Sequence, residues 1–206
     1  SSDDVLCAIA VNCRRIRRLA LPFKHGHTGS GLVELAAKCP LLTSLEFVFE
    51  EGGLTDEGIG QLAVGAFPAL VHASMIILTA GGLLAGGEFW DELTQAGVDQ
   101  LVASFQARVL RLLSFAGNDW DMCRTVNLCQ QTESLELGGQ GLNDEILSGI
   151  ALPSLVKLKL DGYLIDEFNH NVTDTGVSAI VTASGSLTDL ALCNFEYLTD
   201  ECLRVI

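Results

Sequence analysis

The sequence predicts an α/β solenoid, in which short parallel strands form a concave face and the helices that follow them form a convex face. Two patterns predict it. The first is a set of seven segments of the form LxxLxL, and the second is a recurring helix-start phrase such as Leu54-Thr55-Asp56. A strand followed by a helix cannot bury its apolar side alone, so repeated units of this kind must stack side by side.

The strands are predicted from the spacing within each LxxLxL segment. Its last two members are two residues apart, which is the period of a strand with one buried face. With the middle member as marker, successive segments are 26, 28, 40, 22, 23 and 32 residues apart, and we assign the two longest spacings to insertions at 81–91 and 161–171. The seven segments are Ile16/Leu19/Leu21, Leu42/Leu45/Phe47, Leu70/Ala73/Met75, Leu110/Leu113/Phe115, Thr132/Leu135/Leu137, Leu155/Leu158/Leu160 and Leu187/Leu190/Leu192.

The helices are predicted from the phrase that precedes each apolar-periodic run. A threonine or asparagine there can cap free backbone N–H groups, and the acid beside it complements the helix dipole. A first helix is also predicted over 3–10. The stretch 109–128 has Cys123-Arg124-Thr125-Val126 in place of the phrase, so its helix stays unassigned. Helices are therefore expected after Asp56, Thr94, Asp144, Asp174 and Asp200.

Charge and composition restrict the partners. The net charge of −14 disfavours nucleic acid; it suits a basic protein partner, although solubility alone would also account for it. The longest apolar stretch, 75–87, is glycine-rich and too short to span a bilayer, so membrane insertion is not expected. Seven cysteines without a CxxC pair predict reduced, mostly buried thiols in the cytoplasm or another reducing intracellular compartment.

At this point the residues resemble the cysteine-containing leucine-rich repeats of F-box-type proteins. That unit reads roughly C-P-x-L-x-x-L-x-L-x-x-C followed by I-T-D-x-x-L-x-x-L-A. The stretch from Cys39-Pro40 through Leu45 and Phe47 to Thr55-Asp56 is close to it, and Cys13 and Cys129 occupy the same opening position. The resemblance covers nearly the whole chain and departs from the pattern at 109–128.

The resemblance implies a non-catalytic protein-interaction scaffold, a subunit of a larger hetero-complex. Residues 1–206 would form a single leucine-rich-repeat domain of about seven repeats, expected to be a fragment of a longer solenoid because neither end has a polar cap. The alternative is a regulator of an enzyme: a substrate-recognition arm of an F-box-type ubiquitin ligase, or a GTPase-regulating leucine-rich-repeat protein such as the Ran-type activator. No F-box helix bundle is present in these residues.

The candidate partner-binding residues are those predicted to face outward from the strands, between the core leucines. The centre of this surface is expected to be small and apolar, with a charged rim. Two aromatic residues of the first insertion are added as possible anchors, although they could also fold back onto the solenoid. The full set is Arg18, Glu46, His72, Ile76, Leu112, Ser114, Glu136, Lys157, Lys159, Phe89 and Trp90.

No catalytic, metal or cofactor site is expected. His72, Ser74 and Glu46 could lie near one another on adjacent strands, but three polar side chains in such a place are an ordinary coincidence. His25 and His27 flank a glycine without a cysteine or carboxylate pair at a usual ligand spacing. Glycine-rich stretches lack the lysine of a phosphate-binding loop.

Overall fold

A computed structural model describes residues 2–23, 29–49, 56–63, 65–77, 94–114, 121–139, 141–162 and 172–204. The chain divides into two compact units, Ser1–Ala107 and Arg108–Ile206. Each is treated by itself below, as the N-terminal unit and the C-terminal unit. Strands and helices alternate in both, and within each unit all recorded strand pairs are parallel, which confirms the predicted α/β class.

The N-terminal unit contains three described strands and four described helices. The pairs β1–β2 and β2–β3 are parallel, with Leu19 opposite Leu45 and Leu45 opposite Ala73, as the predicted strand centres require. Its elements in chain order are α1 (Ser2–Asn12), β1 (Arg18–Phe23), α2 (Ser30–Lys38), β2 (Ser44–Phe49), α3 (Asp56–Ile59), β3 (His72–Ile77) and α4 (Gln95–Phe105).

The C-terminal unit contains four described strands in the order β4-β5-β6-β7, all pairs parallel. Leu135 lies opposite Leu158, and Leu158 lies opposite Leu190. Its elements are β4 (Val109–Ser114), α5 (Met122–Asn127), β5 (Ser134–Gly139), α6 (Asp144–Gly149), β6 (Lys157–Asp161), α7 (Asp174–Ala183), β7 (Asp189–Cys193) and a short 3-10 helix (Cys202–Arg204).

The core of each unit is built from alternate strand residues and from one side of each helix. In the N-terminal unit the Phe105 ring stacks on Phe47 at a centroid distance of 5.6 Å, and Phe67 packs against Phe105 at 6.1 Å. In the C-terminal unit Leu135 and Leu137 are fully buried between strand neighbours of the same kind. The remaining side chains of each strand lie on the side of the sheet away from the core, and we call this side the outward face.

A single turn geometry precedes most of the strands. The N–H of the first residue in the LxxLxL segment donates to the carbonyl three residues earlier, as from Leu42 to Cys39 (3.1 Å) and from Leu155 to Leu152 (3.1 Å). The carbonyl just before β1, β2, β4, β5 and β6 then accepts two N–H groups from the next turn. The Arg17 carbonyl, for example, accepts from Thr43 at 2.8 Å and from Ser44 at 3.0 Å. This arrangement fixes the strand register from one turn to the next.

The helix starts follow the sequence prediction. Thr94, Asn143 and Thr173 are N-caps, each with a side-chain oxygen that accepts from a backbone N–H of its own helix. Helices begin at or just after Asp56, Thr94, Asp144 and Asp174, and a 3-10 helix follows Asp200. The stretch left unassigned at 109–128 also holds a helix, α5, which is capped by the Asp121 carboxylate through a 2.8 Å bond from Arg124 N–H.

The predicted register of β4 is wrong. The sequence pattern predicts the segment Leu110/Leu113/Phe115, but Leu110 lies opposite Leu135 and Leu112 lies opposite Leu137, and Leu112 is 4% exposed. The true segment is therefore Ala107/Leu110/Leu112, with a fully buried alanine at its first position. Leu112 is a core residue and not the outward-facing contact expected from the sequence. Ser114 lies opposite Gly139, two residues after Leu112 and therefore on the same side of β4 by register. The prediction that it faces outward is wrong as well.

The cysteines agree with the prediction only in part. All seven are free. Cys39, Cys129 and Cys202 are buried, but Cys7, Cys123 and Cys193 are half-buried and Cys13 is exposed, so the expectation of mostly buried thiols is wrong.

The corrected register predicts opposite effects for two adjacent leucines. Leu112→Ala should lower the free energy of unfolding by about 2–5 kcal/mol, because it leaves a cavity among buried strand residues. Leu113→Ala should cost less than about 1.5 kcal/mol, because Leu113 is half-buried on the outward face. Urea unfolding of both variants measures this. A larger loss for Leu113→Ala would restore the register expected from the sequence.

Candidate interaction surface

The acid of the helix-start phrase bridges to the next helix start. The Asp144 carboxylate accepts from the Thr173 N–H at 2.8 Å, from the Thr173 hydroxyl at 2.6 Å and from the Gly176 N–H at 3.1 Å. Asp174 holds Thr199 in the same way, and in the N-terminal unit Asp56 holds Thr94. From the sequence, these acids are expected only to complement the helix dipole, and the bridge is not predicted.

Glycine is required where the bridge is tightest. A Cβ at Gly176 would overlap the Asp144 Oδ1 atom and would lie 2.8 Å from the Asp144 Cα. Without a side chain, the Gly176 N–H can approach the carboxylate as a third donor. The polar groups at this helix start are therefore used within the chain.

The bridge predicts a specific loss of stability. Asp144→Ala removes the acceptor of three hydrogen bonds, so the free energy of unfolding should fall by about 2 kcal/mol. The neighbouring Glu145→Ala, at an exposed position of the same helix, should change it by less than about 0.5 kcal/mol. Equal effects in urea unfolding would show that the bridge contributes nothing.

The bridge at Asp174 also predicts a pH dependence. The hydroxyl and then the backbone N–H of Thr199 lower the pKa of the Asp174 carboxyl below its ordinary value. A depressed folded-state pKa stabilises the fold above the unfolded pKa of about 3.9, and this contribution is lost as the pH falls through the folded pKa. The stability difference between wild type and Asp174→Asn should therefore shrink as the pH falls from about 5 to about 2.

The control for this titration is Asp200→Asn. Asp200 is exposed and accepts no hydrogen bond from the described residues, so Asp200→Asn removes a carboxylate without breaking a bridge. A constant difference between wild type and Asp174→Asn across the acid range would contradict the pKa shift.

The outward face of the N-terminal unit has charged and apolar parts. Arg18 and His72 are exposed at its edge, Glu46 is half-buried in the middle, and Ile76 is half-buried where exposure was expected. The register sets its three rows as Arg18/Ser44/His72, Ala20/Glu46/Ser74 and Pro22/Val48/Ile76.

The outward face of the C-terminal unit carries a charged row across three neighbouring strands. Arg111, Glu136 and Lys159 are register partners. The Arg111 Nε atom lies 3.1 Å from Glu136 Oε2, and the Lys159 Nζ atom donates to Glu136 Oε1 at 2.8 Å. The hydrogen bond to Glu136 raises the pKa of Lys159, which keeps the ammonium charged. Beside this row Lys157 pairs with Asp189 at 3.6 Å.

The structure brings together three of the predicted residues here, Glu136, Lys157 and Lys159. It adds Arg111, which the sequence argument missed because the shifted register of β4 turned it toward the core. The correct alternation of β4 could have been found from the residues before it. Ala107 stands at the first position of the segment, and Ser104 stands three residues earlier, at the opening position that Cys39 and Cys129 occupy in their segments. Phe89 and Trp90 lie outside the described residues.

The Ser74 hydroxyl and three thiols of the described residues are not activated by their surroundings. The Ser74 hydroxyl has no hydrogen-bond partner, so no contact with His72 or Glu46 activates it. Burial is the main cause of a raised pKa at Cys39, Cys123 and Cys202, which disfavours the reactive thiolate. Within the described residues no group of three or more metal-ligating side chains is present, and no helix among them is long and apolar enough to cross a membrane.

Comparison with known proteins gave no match, either among protein-family models or among curated proteins. The account of function therefore rests on the residues and their geometry.

Proposed function

We propose that this chain is a non-catalytic, leucine-rich-repeat module that binds a protein partner through the outward faces of its sheet strands. In this proposal the repeats form a solenoid, and the partner contacts its concave side. The observation that supports it most is the Arg111–Glu136–Lys159 row, in which Glu136 lies within ion-pair distance of a cation on each neighbouring strand.

Stability alone does not account for this row. Ion pairs between partly exposed side chains contribute about 0–1 kcal/mol each, and burying them costs solvation free energy. Glu136 is nevertheless only 23% exposed, and the Lys159 side chain is 42% exposed. Charged groups that are already ordered lose less conformational entropy on binding and set the orientation of a partner, which favours an interface.

The helix side and the outward face of the C-terminal unit also differ in how exposed their polar groups are. On the helix side, polar groups such as Asp144 and Thr173 are consumed by bridges within the chain. On the outward face, Lys157 remains 62% exposed and Asp189 59% exposed. These exposed charges would form the polar rim of an interface.

The test is capture of partners from the native source with two matched variants. Glu136→Gln removes the negative charge that attracts Arg111 and Lys159, whereas Glu145→Gln makes the same chemical change on the helix side. We expect Glu136→Gln to reduce partner recovery about tenfold or more, since losing one member of a charge pair that the partner would bury costs more than about 1.4 kcal/mol, and Glu145→Gln to behave as wild type. Thermal unfolding checks that both variants fold.

Two outcomes would contradict the proposal. One is loss of partners with Glu145→Gln alone, which would move the interface to the helices. The other is full recovery with both variants, which would leave the outward face without a role in binding.

A further inference from the structure

The turns of the N-terminal unit form a surface whose charge is opposite to that of the chain. This turn face consists of residues 14–18, 40–44 and 68–72, which are the turns that lead into β1, β2 and β3 together with the first residue of each strand. Its four arginines all lie in the first of these stretches and a histidine ends the third, and none of the three contains an acidic residue, in a chain with 26 acidic and 12 basic residues. The four arginines, all exposed and without an ion pair to any described residue, are Arg14, Arg15, Arg17 and Arg18.

The backbone of the turn face is rigid. Ile16, Leu42 and Leu70 each donate an N–H to the carbonyl three residues earlier, at 2.9, 3.1 and 3.1 Å. The Arg17 carbonyl accepts from the Thr43 and Ser44 N–H groups and also from the Thr43 hydroxyl at 2.9 Å. The arginine side chains therefore project from a fixed frame, which lowers the entropic cost of binding a ligand.

Apolar groups lie beside the arginines. Leu41 is 44% exposed and Val71 is 37% exposed, and Pro40 and Pro68 are exposed next to them. An exposed apolar strip beside unpaired cations would recognise a ligand with both carboxylates and an apolar side chain.

The corresponding turns of the C-terminal unit lack this feature. Their cations are matched by acids on the adjacent turn, with Arg108 Nη1 3.4 Å from Glu133 Oε1 and Lys157 Nζ 3.6 Å from Asp189 Oδ2. Uncompensated positive charge is therefore specific to the N-terminal turn face and is not a general property of these turns.

We infer that the turn face binds a short, extended acidic segment of a protein partner. Adjacent strands are about 4.8 Å apart, so three turns span about 10 Å, the length of about three residues of extended chain. Carboxylates of the segment would pair with the arginine guanidinium groups, which suit bidentate contacts, and an apolar side chain would rest on Leu41 and Val71. The inference rests on the protein-binding role proposed above, because it names the chemistry of one partner segment.

The observations favour a short acidic peptide over a nucleic acid. Charges are screened beyond about 8 Å at physiological ionic strength, so a short ligand interacts mainly with the local arginines. A longer polyanion would extend beyond the turn face over a molecule of net charge −14, and its further phosphates would be repelled.

The experiment measures fluorescence anisotropy of a short labelled peptide that alternates glutamate with leucine. Arg14→Gln/Arg17→Gln removes two of the cations, and Arg108→Gln/Lys157→Gln removes two cations from the C-terminal turns as the matched control. We expect the first variant to bind about tenfold or more weakly than wild type and the control to bind as wild type. Wild-type binding should weaken as salt is raised, and a glutamine-for-glutamate peptide should not bind.

Four results would overturn the inference: no peptide binding at millimolar concentration, equal binding of both variants, equal binding of the glutamine peptide, or tighter binding of a single-stranded DNA oligonucleotide. Failure of the proposed function is distinguishable. If the native partner is lost with Arg14→Gln/Arg17→Gln but retained with Glu136→Gln, the turn face is the interface and the outward-face proposal is wrong.

Discussion

Burial of every second strand side chain is the constraint on which the rest of each unit depends. Leu45 and Phe47 in one unit and Leu135 and Leu137 in the other lie inside at 0–1% exposure, so a shift by one residue would turn them all toward solvent. The carbonyl that precedes β1, β2, β4, β5 or β6 accepts two N–H groups from the next turn and fixes the same register. Which residues face outward follows from this alternation alone.

The aspartate–threonine bridges join successive helix starts. Asp144 joins α6 to the start of α7, and Asp174 joins α7 to the 3-10 helix, each through paired bonds to a threonine. Because a side-chain carboxylate satisfies N–H groups that would otherwise need water, the helix starts can pack closely. The polar groups at these helix starts are thus used within the chain, while charged side chains at the edge of the outward face, such as Lys157, remain largely exposed.

The sequence alone predicts the strands and helix starts correctly where the local residue pattern agrees with which side chains are buried. The strands around Leu45, Leu135 and Leu158 and the caps at Asn143 and Thr173 could be predicted because period and capping chemistry are local. It was insufficient at β4, where Leu110, Leu112 and Leu113 give two equally good registers and a buried alanine stands at the diagnostic position. The Asp144–Thr173 bridge could not be predicted, since it joins residues 29 positions apart through a geometry that only the packed helices create.

The claim that the partner binds the outward face and not the helix side is tested most directly by carboxyl footprinting with mass spectrometry, with and without the captured native partner. Glu136 lies on the outward face and Glu145 on the exposed side of α6, so one labelling reaction reports on both surfaces of the same unit. The account predicts that partner binding lowers the labelling of Glu136 and leaves that of Glu145 unchanged. Protection of Glu145 with unchanged Glu136 would contradict it.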